Sequence, residues 1–370
     1  MQIRVFTDLR FTSYAYPTGV GKHIVHMVDG LSKISGNNLS LLAARDQRAL
    51  SGALSFLPIR TMPVPWKLAE AMWTLTGSPA ADRWCGGADW VYCPKNDFIP
   101  VRRYRVAVTI HGAAELDPNM PKTPGLSARF GRLRSHTRYT RLLRQAALVL
   151  TVSEFLKRQV VEWFGVDADK VLVVGNGVEA EFFEVARRPL GCSGESPDRP
   201  FILCVGGLNY LDGGDRVIQA AGLLAREMPD LKILVAGCNH DKEMKSTAAA
   251  LRNVTLLGYV KSDRLACYMR DAFALLYPTR YETFGMAAAE AMAAGTPIVT
   301  SLSTAVPEVV GDAAVYTDPD RPGSIVEALG ALQSRSALRN DLIARGRRRA
   351  EAYPWSACVS RLQHALLRRM

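Results

Sequence analysis

The sequence has no apolar run of the roughly 18 residues that a membrane-spanning helix needs, and no Cys-x-x-Cys pair. Its seven cysteines, at 85, 93, 192, 204, 238, 267 and 358, are odd in number and lack zinc-like spacing. A disulfide framework and a zinc site are therefore set aside, and the cysteines read as reduced core filler. The first residues, MQIRVFTDLRF, lack the apolar core and small-residue cleavage site of a signal peptide and alternate like a first strand. A cytoplasmic location is the resulting expectation. Acidic residues are also in short supply, 35 against 46 Lys and Arg, which leaves a net charge of +11. That surplus favours an anionic partner, whether a phosphorylated small molecule, nucleic acid or an acidic membrane face.

What is present points to a globular chain, 48% hydrophobic with a mean hydropathy of +0.01. At 370 residues it is too long for one ordinary core, and two domains of roughly 150 to 200 residues are expected. Short β-branched runs alternate with helical periodicity throughout. IRVFTD, LSLLAA, WVYCP, RVAVTIH, ALVLTVS and VLVVGN fill the first half, and FILCVGG, LKILVAG, VTLLGYV, FALLYPT and PIVTS the second. Near-continuous apolar strands between helices imply parallel sheets covered on both faces. The fold class is thus α/β, with two doubly wound, Rossmann-like domains. The Pro-, Gly- and Ser-rich stretch RRPLGCSGESPDRP, residues 187–200, reads as the linker. Domains are placed at 1–186 and 187–354, with the amphipathic helix 355–370 docking back on the first.

In doubly wound domains ligands bind beyond the C-terminal ends of the strands. Gly19, Gly21, His111, Asn176, Gly177, Gly206 and Gly207 fall at such ends, and so does RYETFGMAAAEAMAAGTPIVTS, residues 280–301. Two such rims across a cleft would make one site. In the last stretch Glu282 lies in a strand-to-helix loop, with Thr283 as candidate N-cap. Glu290 lies about two turns into a helix of alanines and methionines. As a lone residue Glu290 reads as a partly exposed acid on the outer face, but its small neighbours would admit a ligand. Helix N–H groups suit phosphate and the two acids suit hydroxyls, so together they suit a nucleotide sugar.

The spacing Glu-x7-Glu in YETFGMAAAEAMAAGTPIVTS, followed by VPEVVGDAAVYTDPD, resembles the retaining glycosyltransferases of family 4, which have the GT-B fold. TGVGKHI, VTIHG, TVSEFLKRQVVEWFGVDADKVLVVGNGV and FILCVGGL resemble further segments of that family, in order along nearly the whole chain. The resemblance implies an acceptor domain followed by a nucleotide-sugar donor domain. It implies that Glu282 holds donor-sugar hydroxyls, with the N–H groups of Phe284 and Gly285 near sugar and diphosphate, and that Glu290 holds the ribose. His111 would orient a hydroxyl at the reacting sugar, while Gly19 and Gly21 would admit the diphosphate and acceptor. No metal or other cofactor is implied, and the Asp-x-Asp matches at Asp167/Asp169 and Asp318/Asp320 read as helix-start and turn chemistry. The implied reaction is retaining transfer of a hexose or related sugar to a saccharide or lipid-linked acceptor in surface-polysaccharide synthesis.

One departure stands out. The family's Arg-Lys pair, which neutralises the donor diphosphate, is replaced by Leu211 and Asp212. Arg280, Arg216 and Lys261 are candidate substitutes, each otherwise a solvated surface charge. The departure sustains a second reading, a weakened or nonenzymatic GT-B protein. Other classes fit less well. GVGKH lacks the Ser or Thr after Lys22, and Tyr16 stands where a P-loop begins with glycine, while TGVGKHI lacks the third glycine of a nicotinamide site. Nucleic-acid binding has only charge behind it. Arginines 129, 132, 134, 138, 141 and 144, interleaved with Phe130, Leu133, Tyr139 and Leu142, suit either an anionic membrane surface or a plain solvated helix face.

Overall fold

A computed structural model describes residues 3–9, 18–34, 36–45, 54–118, 120, 126–192, 200–238, 241–318 and 320–370. Tyr16 and most of the expected linker, 193–199, lie outside the described residues. The chain forms two compact units: Met1–Asn176 with Trp355–Met370, and Gly177–Pro354.

The first unit is a parallel seven-stranded sheet. Its strands are β1 (Arg4–Asp8), β2 (Asn38–Ala44), β3 (Ile59–Met62), β4 (Trp90–Cys93), β5 (Arg105–Ile110), β6 (Leu148–Thr151) and β7 (Val171–Val173), in the order β3-β2-β1-β4-β5-β6-β7. The second unit repeats the scheme with six parallel strands. These are β8 (Phe201–Val205), β9 (Lys232–Ala236), β10 (Val254–Gly258), β11 (Ala274–Tyr277), β12 (Ile298–Ser301) and β13 (Ala314–Thr317), ordered β10-β9-β8-β11-β12-β13. Both orders reverse direction beside the first strand, the topology of a doubly wound sheet. Central strands such as WVYC and ALLY are buried at every position, which is why their sequences are continuous apolar runs.

The division between units falls at 176/177 rather than 186/187, because the helix Ala180–Val185 buries Phe182 and Val185 against the helices Ser262–Asp271 and Met286–Ala294 of the second unit. The turn that follows also stays there: Asp271 accepts from the Gly191 amide at 2.8 Å, and Arg270 donates to the Arg188 carbonyl at 3.1 Å. All seven cysteines are free, five of them buried.

The helix Trp355–Arg368 returns to the first unit. It buries Trp355, Cys358, Val359, Leu362, Ala365 and Leu366 on one face and packs along the helix Gly19–Lys33. Its backbone is tied in too, since the Trp90 indole donates to the Leu366 carbonyl at 3.1 Å. The two helices approach tightly at Gly30, where an added Cβ would clash with a Val359 methyl carbon. Gly30→Leu should therefore cost about 1–3 kcal/mol through overpacking. In urea denaturation, adding Val359→Ala should recover most of that loss. Additive losses in the double variant would contradict the contact.

Candidate functional site

In the second unit the switch point lies between the exits of β8 and β11. β11 ends at Tyr277, and the following loop carries Arg280, Glu282, Thr283 and Phe284 before the helix Met286–Ala294. The Glu282 carboxylate organises this loop. One oxygen accepts from the Thr283 and Phe284 amides at 3.0 and 3.4 Å, and the other accepts from the Tyr277 hydroxyl. Its own backbone is clamped by Thr304, whose hydroxyl accepts from the Glu282 amide at 2.8 Å and donates to its carbonyl at 2.7 Å. Thr304 holds φ at +45°, an unfavourable left-handed conformation that the loop's hydrogen bonds maintain.

Thr283 is not the N-cap. Gly285 is, at φ +97°, and the helix starts one residue beyond it. The reason is that Glu282 already binds the Thr283 and Phe284 amides, so the chain must turn sharply before the helix can begin, and a glycine supplies that turn. Glu290 does not lie on an exposed outer face. It is 4% exposed, in a helix buried on every side from Ala287 to Ala294. Burial, then the Glu282 charge, hold the Tyr277 hydroxyl well above its ordinary range, with Asp212 and Glu290 adding to the effect. One buried phenol thus feels three carboxylates.

Leu211 and Asp212 part ways. Leu211 is 36% exposed, and its carbonyl accepts from the Arg280 amide at 2.8 Å and the Thr279 hydroxyl at 3.0 Å. Asp212 turns inward onto Gly206, where an added Cβ would lie 2.9 Å from its carboxylate. It is held by Asn209, whose side-chain amide donates to the carboxylate while its Oδ1 accepts from the Asp212 amide at 2.9 Å. Burial raises Asp212 to about 6, against the Asn209 hydrogen bond and with the Glu282 charge.

Two of the three cations proposed to replace a phosphate clamp, Arg280 and Arg216, are engaged. Arg280 makes a bidentate pair with Asp215, 2.6 Å at each nitrogen, and lies over the Tyr210 ring at 4.0 Å. Arg216 is 7% exposed and donates to the Pro278 carbonyl at 3.0 Å and to Asp320 at 2.7 Å. Lys261 stands exposed before the helix Ser262–Asp271. The amides of Gly206 and Gly207 both donate to the Ala236 carbonyl, at 3.0 and 3.1 Å, so that turn presents shape rather than free donors. The Asp-x-Asp matches are local. Asp167 accepts from the Asp169 amide at 2.9 Å, and Asp318 from the Asp320 amide at 3.0 Å. Among the described residues no group of three His, Cys, Asp or Glu side chains gathers as metal ligands.

In the first unit, Gly19 opens the helix Gly19–Lys33 and Thr18 caps it, accepting from the Gly21 amide at 3.1 Å. His111 follows β5 and donates from Nε2 to the Pro94 carbonyl at 2.8 Å, leaving Nδ1 as an acceptor. Burial lowers His111 to about 4, opposed by the Pro94 carbonyl and aided by Lys95, so at neutral pH it is an uncharged acceptor. Sequence reasoning missed His23, one helical turn beyond Gly19. Its ring lies edge-on to His111, centroids 4.7 Å apart, and its Nδ1 meets Asn176 Oδ1 at 2.7 Å. Burial, then the His111 charge, hold it well below the usual imidazole range. Tyr139, from the arginine-rich helix Leu126–Gln145, donates to the Gly112 carbonyl at 2.6 Å and so fixes the turn after His111. Tyr277, Asn209 and Thr304 were missed as well. Of these, Tyr277 alone left a signal, as a phenol at the end of a strand otherwise Ala and Leu.

Two doubly wound α/β units with acids and glycines at their strand ends are the components of a GT-B fold. Residues 17–182 match the family model Glycosyltransferase Family 4, and residues 192–349 match Glycosyl transferases group 1. The chain belongs to the group 1 glycosyltransferases. It is 27% identical over 290 residues to O-antigen chain mannosyltransferase B of Escherichia coli, covering 75% of this chain and 74% of that protein. It is 30% identical over 216 residues to glycogen synthase of Mycobacterium tuberculosis H37Rv, covering 56% of this chain and half of the relative. Among solved structures, Anabaena HepE in complex with UDP-glucose matches with a TM-score of 0.73 at 15% identity, over 99% of this chain and 100% of that one.

The raised Asp212 has a stability consequence with a definite sign. Its ionised form is disfavoured by folding, so the contribution it makes as a neutral acid is present below its unfolded value near 4 and is lost as pH rises through about 6. Asp212→Asn should thus be more stable than the parent at pH 7.5, by up to about 3 kcal/mol. The gap should close as the pH falls toward 4, as read by denaturant midpoints across that range.

Proposed function

We propose that the protein is a retaining, metal-independent glycosyltransferase whose second unit binds a nucleotide-sugar donor and whose first unit receives a saccharide or lipid-linked acceptor. The observation that carries this reading is the Glu282–Tyr277–Glu290 arrangement at the β8/β11 switch point, where one acid is fixed in the loop and the other is buried eight residues on. Glu282 then positions donor-sugar hydroxyls, and Glu290 accepts from the ribose. Arg280, Thr283, Phe284, Gly285, Gly206 and Gly207 shape the donor pocket. Gly19, Gly21 and neutral His111 serve the diphosphate, the acceptor and a hydroxyl of the reacting sugar. Transfer on one face of the sugar, with the leaving diphosphate taking the acceptor's proton, needs only positioning and electrostatic stabilisation from these groups.

Relatives support the class of substrate. The E. coli relative bears the name of an O-antigen chain mannosyltransferase, and HepE was solved with UDP-glucose. A surface-polysaccharide role is the corresponding proposal here, and the nonenzymatic reading is not favoured. Calorimetry against UDP-, GDP- and ADP-sugars tests the donor site. Glu290→Gln should weaken nucleotide binding by about 1.5–3 kcal/mol, roughly ten- to hundredfold, the range for a hydrogen bond to a charged group. Unchanged affinity would remove Glu290 from the site.

A membrane-facing role for the arginine-rich helix rests on its division into two halves. Tyr139 and Leu142 are buried, whereas Phe130 and Leu133 are 69% and 62% exposed beside exposed Arg129 and Arg134. No helix of the described residues is long and apolar enough to cross a membrane. Peripheral contact with an anionic leaflet is the proposal. Phe130→Asp with Leu133→Asp should reduce cosedimentation with phosphatidylglycerol vesicles severalfold at low salt. Equal binding by parent and variant would refute it.

A further inference from the structure

We infer that Asp212 engages the donor's diphosphate as a neutral carboxylic acid, donating its proton to a phosphate oxygen, so that donor binding takes up one proton from solution. This inference rests on the donor-site reading above. Asp212 lies at the β8 exit, turned onto Gly206, in the crevice of a doubly wound sheet where ligands bind. One carboxylate oxygen is fixed by the Asn209 side-chain amide. The other has no hydrogen bond from the described residues in view of the Asn209 pair, and it is the oxygen that can carry the proton.

Among the described residues of the second unit, the arginines of the elements around Asp212 are already paired. From the loop after β11 comes Glu282, and the Tyr277 hydroxyl of β11 is committed to that Glu282. From the helix Met286–Ala294, Glu290 acts on the same Tyr277. The helix Gly214–Glu227 contributes Asp215 and Arg216. Asp215 is paired with Arg280 at 2.6 Å, and Arg216 is spent on the Pro278 carbonyl and Asp320. No guanidinium or ammonium is among the groups acting on the Asp212 charge. A diphosphate entering this crevice as an anion would meet an ionised Asp212 and Glu282, and among the described residues of this unit no cation acts on Asp212. Such a ligand strengthens proton binding at the nearest carboxyl, and the protonated acid then supplies the donor hydrogen that an ammonium or guanidinium otherwise would. By linkage, a ligand that raises proton affinity is itself bound more tightly as pH falls.

The test uses the full chain with UDP-glucose, and GDP-mannose in parallel. The diphosphate diester of either titrates outside the pH range examined, so any proton uptake belongs to the protein. Calorimetry at pH 7.5 in phosphate and in Tris, buffers of different ionisation enthalpy, should give an uptake approaching one proton per donor bound. Affinity should fall up to about tenfold per pH unit from pH 6.5 to 8.5. Asp212→Ser, which cannot titrate, should flatten that dependence and abolish the uptake, and Asp212→Lys should bind at least tenfold more tightly than the parent at pH 8.5. Circular dichroism of both variants checks folding, and the parent's proton count stands independently of either. Binding of a nucleotide sugar without proton uptake, or a pH dependence that survives in Asp212→Ser, overturns the inference and leaves the donor site standing. Failure of parent and Asp212→Lys to bind any nucleotide sugar between pH 6 and 8.5 overturns the donor-site reading itself, and the inference with it.

Discussion

Parallel pairing is the constraint from which the rest follows. A parallel strand reaches its neighbour only through a crossover, usually a helix, so each strand exit becomes a loop and then a helix N-terminus on the same edge of the sheet. Both sheets are wholly parallel. In the first unit this gathers Thr18, Gly19, His111 and Asn176 at one rim, and in the second Gly206, Asp212, Glu282 and Arg280. Sequence positions seventy residues apart are neighbours because the strand order reverses beside β8.

Within the second rim, hydrogen bonding is spent on geometry before any ligand arrives. Glu282 consumes two amides and a phenol to shape its loop, Arg280 consumes Asp215, and Gly206 and Gly207 consume the Ala236 carbonyl. Such saturation makes the rim stiff, which favours catalysis by orientation over catalysis by moving groups. It also ties Arg280 and Arg216 to Asp215 and Asp320, so neither can follow a charge elsewhere without breaking its pair.

Much of the architecture was legible in the sequence because buried parallel strands are continuous apolar words, and eleven of the thirteen strands among the described residues are such words. The two missed, IRTM and AVYT, are edge strands. Partnered on one side only and largely exposed or half-buried, they carry no apolar run. The candidate site was legible in position and illegible in orientation. Nothing in the string LDGGD says that Leu211 faces out and Asp212 in, since that depends on Asn209 and on the space left at Gly206. Arg280 looked available because its partner, Asp215, is 65 residues away. Glu290 looked exposed by residue type, and only the helix's burial on all sides says otherwise.

The second unit is enclosed in sequence by the first, and its two ends are stitched together where they meet: the Val178 amide donates to the Tyr353 carbonyl at 2.8 Å, beside a bridge between Val178 and Pro354. The first sheet, in turn, depends on Trp355–Arg368 to cover the helix Gly19–Lys33 and satisfy the Trp90 indole. The first unit is therefore discontinuous in sequence, and its closing helix can dock only after the chain has passed through the whole of the second unit.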